Sequence, residues 1–141
     1  MKIKLTLDEG AIPPTRAHDT DAGFDLHSKG KAIVLPYSRQ LVPTGVHVAI
    51  PPGYVGMICP RSGLAHKHGL TVLNAPGIID AGYTGEIKVN LHNTVDRAVV
   101  LPSGARIAQL VITPITGAHL VQVDTLDATE RGDNGHGSTG Q

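Results

Sequence analysis

Nine short runs of alternating or β-branched residues, separated by turn residues, constrain the fold of this 141-residue chain most strongly. Its 17 glycines and 10 prolines are dispersed, so they punctuate many short elements and do not form one linker. Short strands at this spacing are typical of an all-β protein. The runs are residues 3–7, 31–35, 41–50, 54–59, 70–74, 86–91, 97–101, 106–115 and 119–123. We therefore expect an antiparallel β-sandwich or barrel.

One segment has the pattern of a short helix, SGLAHKHG at residues 62–69. Ser62 is a suitable N-cap, and Gly69 can end the helix. A second exception to the strand pattern is the run 107–112, which is apolar on both faces apart from Gln109. Because a half-exposed antiparallel strand alternates, we expect this strand to be covered on both sides, and a second subunit is one candidate for the outer cover.

The composition limits the classes of function. A length of 141 residues fits one domain with its own core. The formal net charge is zero, which argues against a basic field that would bind long nucleic acid. Cys59 is the single cysteine, which excludes a disulfide framework and a multi-cysteine zinc site. The chain has no secretory leader pattern and no 18-residue apolar stretch, so we expect a cytoplasmic protein without a membrane partner.

The segment GIIDAGYTGE, residues 77–86, places one carboxylate, one ring and three glycines between two predicted strands. Glycines permit positive φ and close approach of another molecule to the backbone, as a hairpin turn requires. A carboxylate such as Asp80 can orient or deprotonate water, and a ring such as Tyr83 can cover a sugar or a base. An ordinary glycine-rich turn with an incidental aspartate is the alternative interpretation.

The last residues, 131–141, are too rich in glycine to hold structure by themselves. We therefore expect one domain over residues 1–130, followed by a flexible terminus. The terminus carries Arg131, Ser138 and Thr139 together with many backbone N–H groups, and such groups bind phosphate oxygens. An arm that closes over a phosphate ligand is the alternative to a simple disordered end.

Five patterns, in this order and spacing, resemble the five motifs of the trimeric deoxyuridine triphosphatases (dUTP pyrophosphatases). They are AGFDL (22–26), PRSGLA (60–65), GIIDAGYTGE (77–86), RIAQLV (106–111) and RGDNGHGSTG (131–140). The match spans nearly the whole chain. It implies a jelly-roll β fold and a homotrimer, with three active sites that each draw on all three chains. It also implies hydrolysis of dUTP to dUMP and pyrophosphate, with Mg²⁺ as the cofactor.

The resemblance assigns roles in hydrolysis to individual residues. It implies that Asp80 orients and activates the water that attacks the α-phosphorus, and that Asp25 holds magnesium through coordinated waters. Arg106 matches the arginine of the fourth motif, although a structural ion pair is an alternative role. The phosphate-binding residues implied by the match are Arg61, Ser62, Gly63, Gln109, Arg131, Ser138 and Thr139.

The same resemblance implies how the base and sugar are chosen. Backbone groups within residues 77–85 would pair with the edge of uracil, and the closed turn would leave no room for a 5-methyl group. Tyr83 would pack under the deoxyribose and exclude a 2′-hydroxyl. His136 stands where the family usually has Phe, and an imidazole over the uracil would make closure of the arm pH-sensitive. The base and sugar contacts implied are Asn74, Gly77, Ile79, Tyr83, Lys88 and His136.

Two alternatives compete with this interpretation. A deoxycytidine triphosphate deaminase shares the fold, but PRSGLA and the segment 77–86 match the triphosphatase form. A catalytically silent relative could bind nucleotides or regulate a partner, and the intact set of matching residues argues against it. The resemblance further implies a cellular role, in which the enzyme keeps uracil out of DNA and supplies dUMP for thymidylate synthesis.

Overall fold

The computed structural model describes residues 1–134, which form eleven β-strands and one short α-helix. The helix α1 spans Ser62–His68. The strands are β1 Lys4–Leu7, β2 Gly23–His27, β3 Ala32–Val34, β4 Arg39–Pro43, β5 Val46–Ala49, β6 Tyr54–Cys59, β7 Leu70–Val72, β8 Gly77–Ile79, β9 Lys88–Asn93, β10 Val99–Leu101 and β11 Arg106–Pro114. The predicted all-β class with one short helix is therefore confirmed.

The strands form four antiparallel sheets. The largest has the order β2-β11-β6-β8, and a second has the order β4-β9-β7. Two further pairs are β1 with β5 and β3 with β10. Strands that are neighbours in space are mostly distant in sequence, so the connections pass repeatedly from one sheet to another. The jelly-roll description stays an expectation that the family resemblance carries.

A single apolar core joins the sheets and consists of aliphatic side chains. Alternate residues of β3, β9 and β10 are buried, which is the period of strands with one face on a core. Full burial of one such side chain contributes about 1.5–3 kcal/mol. The largest fully buried apolar side chains are Leu26, Leu70, Ile87, Leu91 and Ile107.

The run that lacks alternation is β11, the strand between β2 and β6. The register with β2 shifts between Arg106 and Ala108, as a β-bulge does, and this lets the consecutive residues Ile107 and Ala108 both be buried. The chain itself therefore covers the first part of the strand. Val111 and Ile112 are left half-buried.

Two strand predictions are wrong. Residues 119–123 belong to no strand, and Leu120 is fully exposed at 100%. A strand needs a partner to satisfy its backbone, and within residues 1–134 this segment has none. The run 41–50 is two strands, because Gly45 turns the chain with a φ of 66° between β4 and β5.

The helix begins one residue earlier than predicted. Arg61, with extended backbone, is the N-cap, and its carbonyl accepts a hydrogen bond from Ala65 N at 3.0 Å. Ser62 is the first helical residue and not the cap. Gly69 ends the helix with a φ of 64°, as predicted. Within residues 1–134, no helix has the length and apolar character needed to cross a membrane.

Candidate active site

Residues 77–86 are more than the turn of a hairpin. β7 and β9 do pair, with Val72 opposite Leu91. Between them, however, the chain crosses to the other sheet, where β8 pairs with β6 and Gly77 lies opposite Ile58. Gly77 permits this approach, since a β-carbon there would lie 3.3 Å from Ile58 Cβ and from Asn74 Nδ2. The simple hairpin prediction is therefore wrong, because the segment contains a strand of its own.

This strand, β8, is the last one in the order β2-β11-β6-β8. Within residues 1–134, one side of its backbone consequently has no strand partner, and unpaired N–H and C=O groups at a sheet edge can pair with another molecule. A cavity of about 400 Å³, here called the β8 cavity, is lined by Gly77, Ile78 and Ile79. An edge backbone is thus available at the wall of a cavity.

The β8 cavity collects one half of the predicted site. Asp80 lines it together with the base and sugar residues of the described chain, which are Asn74, Gly77, Ile79, Tyr83 and Lys88. Glu86 and Asn90 also line it and were not predicted. The signal for Asn90 was its position as a polar residue between the core residues Val89 and Leu91 of an alternating strand.

The turn after β8 holds Asp80 and Tyr83 in a fixed relation. The carbonyl of Asp80 accepts a hydrogen bond from Tyr83 N at 3.1 Å, and Gly82 takes a φ of 92°. The Tyr83 ring packs on Gly85, where a β-carbon would lie 2.6 Å from Tyr83 Oη. Tyr83 Oη donates to the carbonyl of Glu86 at 3.0 Å. The ring therefore folds back on its own turn, while Asp80 is exposed to solvent at the cavity.

A second cavity, of about 350 Å³, collects the other half of the predicted site and is here called the α1 cavity. Predicted residues from the first, second and fourth motifs line it, namely Asp25, Arg61, Ser62, Gly63 and Gln109. Arg106 and the unpredicted residues Ala17, Asp21, Ala22 and Gly23 line it too.

Strand register explains why these motifs meet. Gln109 of β11 lies opposite Asp25 on one side and opposite Cys59 on the other. Gln109 Nε2 donates to the carbonyl of Pro60 at 3.0 Å, which fixes the amide next to the start of α1. A side chain at Gly23 would collide with Gln109 Oε1. The glycine of the AGFDL pattern thus makes room for the glutamine.

Asp25 is the electrostatic centre of the α1 cavity. Arg61 Nε donates to its Oδ1 at 2.9 Å, and Arg106 Nη1 donates to its Oδ2 at 3.3 Å. Arg106 therefore makes the structural ion pair that was one of its two expected roles, and it also lines the cavity. Two residues further along β2, burial lowers the pKa of His27, which favours its neutral form.

The contacts of the Asp25 carboxylate can be compared with the oxygen ligands that Mg²⁺ requires. Each carboxylate oxygen receives one N–H from an arginine, and a carboxylate has about four lone-pair sites, so acceptor positions stay open. Within residues 1–134, no group of three metal-ligating side chains occurs. The residues therefore fit a Mg²⁺ ion held mainly by waters and substrate phosphates, with one carboxylate nearby.

The described chain does not unite the two halves of the predicted site. The β8 cavity and the α1 cavity have no lining residue in common, so Asp80 and Arg61 line separate cavities. Arg131 lines neither cavity, and its Nε donates to the carbonyl of Asn134 at 3.1 Å. The remaining predicted residues, His136, Ser138 and Thr139, lie outside the described part of the chain.

Comparison with known proteins agrees with the five motifs. The dUTPase family model matches residues 9–140. A deoxyuridine 5′-triphosphate nucleotidohydrolase of Tropheryma whipplei (strain Twist) is 51% identical over 136 residues, which cover 96% of this chain and 93% of the relative. The protein of the same name from Mycobacterium marinum is 52% identical over 143 residues, with coverage of 96% and 92%.

Solved structures show the same likeness. A single-residue variant of the dUTPase of Staphylococcus bacteriophage 80alpha with dUpNHpp has a TM-score of 0.91 at 32% identity, covering 99% of both chains. A variant dUTPase from phage phi11 of S. aureus, reported with a coordinated structural Mg(II) ion, has a TM-score of 0.82 at 31% identity and covers 89% of this chain and 98% of its own. The chain therefore belongs to the dUTPase family and is a hydrolase of that family.

Proposed function

We propose that the protein hydrolyses dUTP to dUMP and pyrophosphate, with Asp80 as the residue that activates water. The observation that carries the proposal is the division of the predicted residues between two cavities. One cavity has an edge strand, a ring and a carboxylate, and the other has two arginines, a serine and a glutamine. The first set suits a base and sugar, and the second suits a triphosphate.

Base selection is assigned to the free edge of β8. An edge strand offers N–H and C=O groups in a fixed order, and uracil offers acceptor, donor and acceptor groups along its pairing edge. A site built to hydrogen-bond one edge rejects a base that leaves buried groups unpaired. Asn74, beside Gly77, supports this pocket, and Tyr83 covers the deoxyribose. Gly85 under the ring lets Tyr83 lie flat in the turn.

Phosphate binding is assigned to the α1 cavity. Arg61 and Ser62 supply a cation and a hydroxyl, and Gly63 keeps the backbone open to the ligand. Gln109 reaches the same region with an amide that Pro60 holds in place. Magnesium, when bound beside Asp25, would neutralise charge on the triphosphate and on the leaving pyrophosphate.

The chemical step needs little covalent work from the protein. The Asp80 carboxylate orients a water and takes one of its protons as the water oxygen bonds to the α-phosphorus. The bond from the α-phosphorus to the oxygen that bridges to the β-phosphate breaks, and pyrophosphate leaves. Geometry governs this step, because the attacking oxygen must lie in line with the leaving group.

A complete site needs both cavities at one substrate, and we propose that neighbouring protomers of a homotrimer supply them. The separation of Asp80 from Arg61 in one chain supports this. The terminal segment supports it too, since Leu120, Val121 and Leu126 are 100%, 79% and 88% exposed, and apolar side chains of this kind gain by burial against another chain. The arm of residues 131–141 would then bring Arg131, Ser138, Thr139 and His136 over a neighbouring site.

The direct test is release of pyrophosphate from dUTP in the presence of Mg²⁺, with dCTP, dTTP and UTP as comparison substrates. We expect pyrophosphate and dUMP from dUTP and far less product from the others. Ammonia released from dCTP would instead support the deaminase, and tight dUTP binding without product would support the silent relative. The cytoplasmic location and the role in limiting uracil in DNA stay predictions.

A further inference from the structure

His47 of β5 bridges two hydrogen-bond acceptors. Its Nδ1 lies 3.0 Å from the carbonyl oxygen of Thr84, and its Nε2 lies 3.2 Å from Asp8 Oδ1. A carbonyl and a carboxylate both accept, so both contacts are hydrogen bonds at once only when both ring nitrogens carry hydrogen. The Thr84 carbonyl, and next the Asp8 carboxylate, raise the pKa of His47 accordingly.

The far end of this bridge is anchored in the fold. Asp8 Oδ2 accepts from Lys29 Nζ at 3.1 Å, and Asp8 N donates to the carbonyl of Gly45 at 2.9 Å. Gly45 cannot be replaced without displacing this anchor, since a β-carbon there would lie 2.7 Å from Ala11 Cβ and 3.3 Å from Asp8 Cβ. The Asp8 carboxylate therefore holds its place relative to β5.

Other charged groups face His47 from the elements packed around it. Glu86 lies on the turn side, where its Oε1 accepts from Gly45 N at 2.9 Å and its Oε2 pairs with Lys88 Nζ at 3.5 Å. Lys4 of β1 lines a small cavity together with His47 and Thr84. The two carboxylates favour the protonated imidazole, and both are partly neutralised by lysines.

The near end of the bridge is the turn of the β8 cavity. Residues 81–84 are exposed, and the bond from Tyr83 N to Asp80 O lies within the turn itself. After the turn the chain is held again at Glu86, whose Oε1 accepts from Gly45 N at 2.9 Å, and at Ile87, whose N donates to the carbonyl of Val46 of β5 at 2.8 Å. Among the residues that the structure describes, His47 supplies the hydrogen bond that reaches residues 81–84 from another element.

We propose that His47 is a positioning residue, which ties the Thr84 carbonyl to β5 and so fixes the turn that carries Asp80 and Tyr83, while the Asp8 carboxylate orients the imidazole ring. The inference rests on the proposed function, because it takes the roles of Asp80 and Tyr83 from there. Without the hydrogen bond to Thr84 the turn swings as a unit about its ends. The Tyr83 ring then excludes a 2′-hydroxyl less well, and Asp80 meets the water less often in line.

Three substitutions separate the two contacts of the imidazole. His47→Asn places an amide N–H where Nδ1 lies and keeps the bond to Thr84. His47→Gln extends an amide toward the position of Nε2 and keeps the contact with Asp8. His47→Ala removes both. Loss of one hydrogen bond of ordinary strength should change the ratio of kcat/KM for dUTP to that for UTP by up to about tenfold.

The test combines ¹⁵N order parameters of the Thr84 amide in the free protein with the ratio of kcat/KM for dUTP to that for UTP. For the wild type and His47→Asn we expect a rigid amide, with an order parameter of about 0.85, and the same substrate ratio. For His47→Ala and His47→Gln we expect a value below about 0.6 and a substrate ratio that falls about tenfold. His47→Asn should in addition remove any change of the ratio between pH 6 and pH 8.5.

Equal order parameters in the wild type and His47→Ala, or an unchanged substrate ratio in His47→Ala, would overturn the inference. So would a His47→Asn protein that behaves as His47→Ala does. A wild-type protein that releases no pyrophosphate from dUTP would overturn the proposed function instead. In that case the order parameters alone still decide whether His47 holds the turn.

Discussion

Arg61 Nε donates to Asp25 Oδ1 at 2.9 Å, across the boundary between the helix start and the strand β2. The arginine side chain is 25% exposed and the aspartate 18%, so the pair is partly shielded from water. Arg106 takes the other carboxylate oxygen at 3.3 Å. The guanidinium of Arg61 is consequently held in place at the α1 cavity before any phosphate arrives.

This placement predicts the effect of Arg61→Ala. Removing one fixed donor to a charge that develops in the transition state lowers kcat by about 10²–10³-fold. Asp25 keeps Arg106 as a partner, so we expect the fold to survive with a small change in thermal midpoint. The matched control is Arg97→Ala, which removes an exposed arginine that lines neither cavity. Steady-state pyrophosphate release measures the activity of both variants. Equal activity of the two would contradict the assignment of Arg61 to phosphate binding.

The position of Tyr83 predicts a change in sugar selection. Tyr83→Ala should raise kcat/KM for UTP relative to dUTP, because it removes the ring that we propose excludes a 2′-hydroxyl. Tyr83→Phe keeps the ring but loses the hydrogen bond to the Glu86 carbonyl, so we expect an intermediate ratio. Tyr37→Ala, at an exposed tyrosine away from both cavities, should leave the ratio unchanged. A Tyr83→Ala protein with wild-type selectivity would remove this role.

The His47 bridge predicts a pH dependence of stability. The pKa of His47 in the folded protein is raised from 6.5, so its protonated form adds stability below about pH 6.5, and this contribution is lost as the pH rises through the folded value. Lys29, and to a smaller extent His47, hold the pKa of Asp8 below 3.8, so Asp8 stays ionised across this range. The urea midpoint of the wild type should therefore exceed that of His47→Asn by more at pH 6 than at pH 8.5. An equal difference at both pH values would contradict the bridge.

Asn93 predicts a large stability effect away from the site. It is fully buried, its Nδ2 donates to the carbonyls of Val34 at 3.0 Å and Arg97 at 2.7 Å, and its Oδ1 accepts from Val95 N at 3.0 Å. Asn93→Ala leaves these groups without partners, and an unsatisfied buried polar group costs about 1–3 kcal/mol. We expect Asn93→Ala to lower the free energy of unfolding, measured by chemical denaturation, by at least that amount. The control is Asn90→Ala, on the same strand at the β8 cavity, which should lower the free energy of unfolding less.

The sequence predicted the fold and the candidate site to different extents. Alternation and turn residues were enough for the strand run 54–59, which is β6 without change. They failed at residues 119–123, because an apolar alternating segment becomes a strand only where a partner strand lies beside it. They also failed at Gly77–Ile79, where pairing with β6 depends on a long-range contact that a hairpin rule does not contain.

The motif resemblance named the candidate site residues, and the fold determines which of them lie together. Asp25 and Gln109 are far apart in sequence, and only the register of β2 with β11 places them side by side. His47 was not predicted as a site residue, because a lone histidine in an alternating strand gives no local sign of a functional role. Its partners, Asp8 and Thr84, come from other parts of the chain.

We propose that Asp80 and Arg61 act on one substrate from neighbouring protomers. Asp80→Asn and Arg61→Ala each disable one half of the site. When the two inactive proteins are unfolded together, refolded and shown by native mass spectrometry to form mixed trimers, about one quarter of the shared sites should carry both intact halves. We expect the mixture to release pyrophosphate from dUTP at roughly one quarter of the wild-type rate per site. Mixed trimers with no more activity than the two variants alone would contradict it.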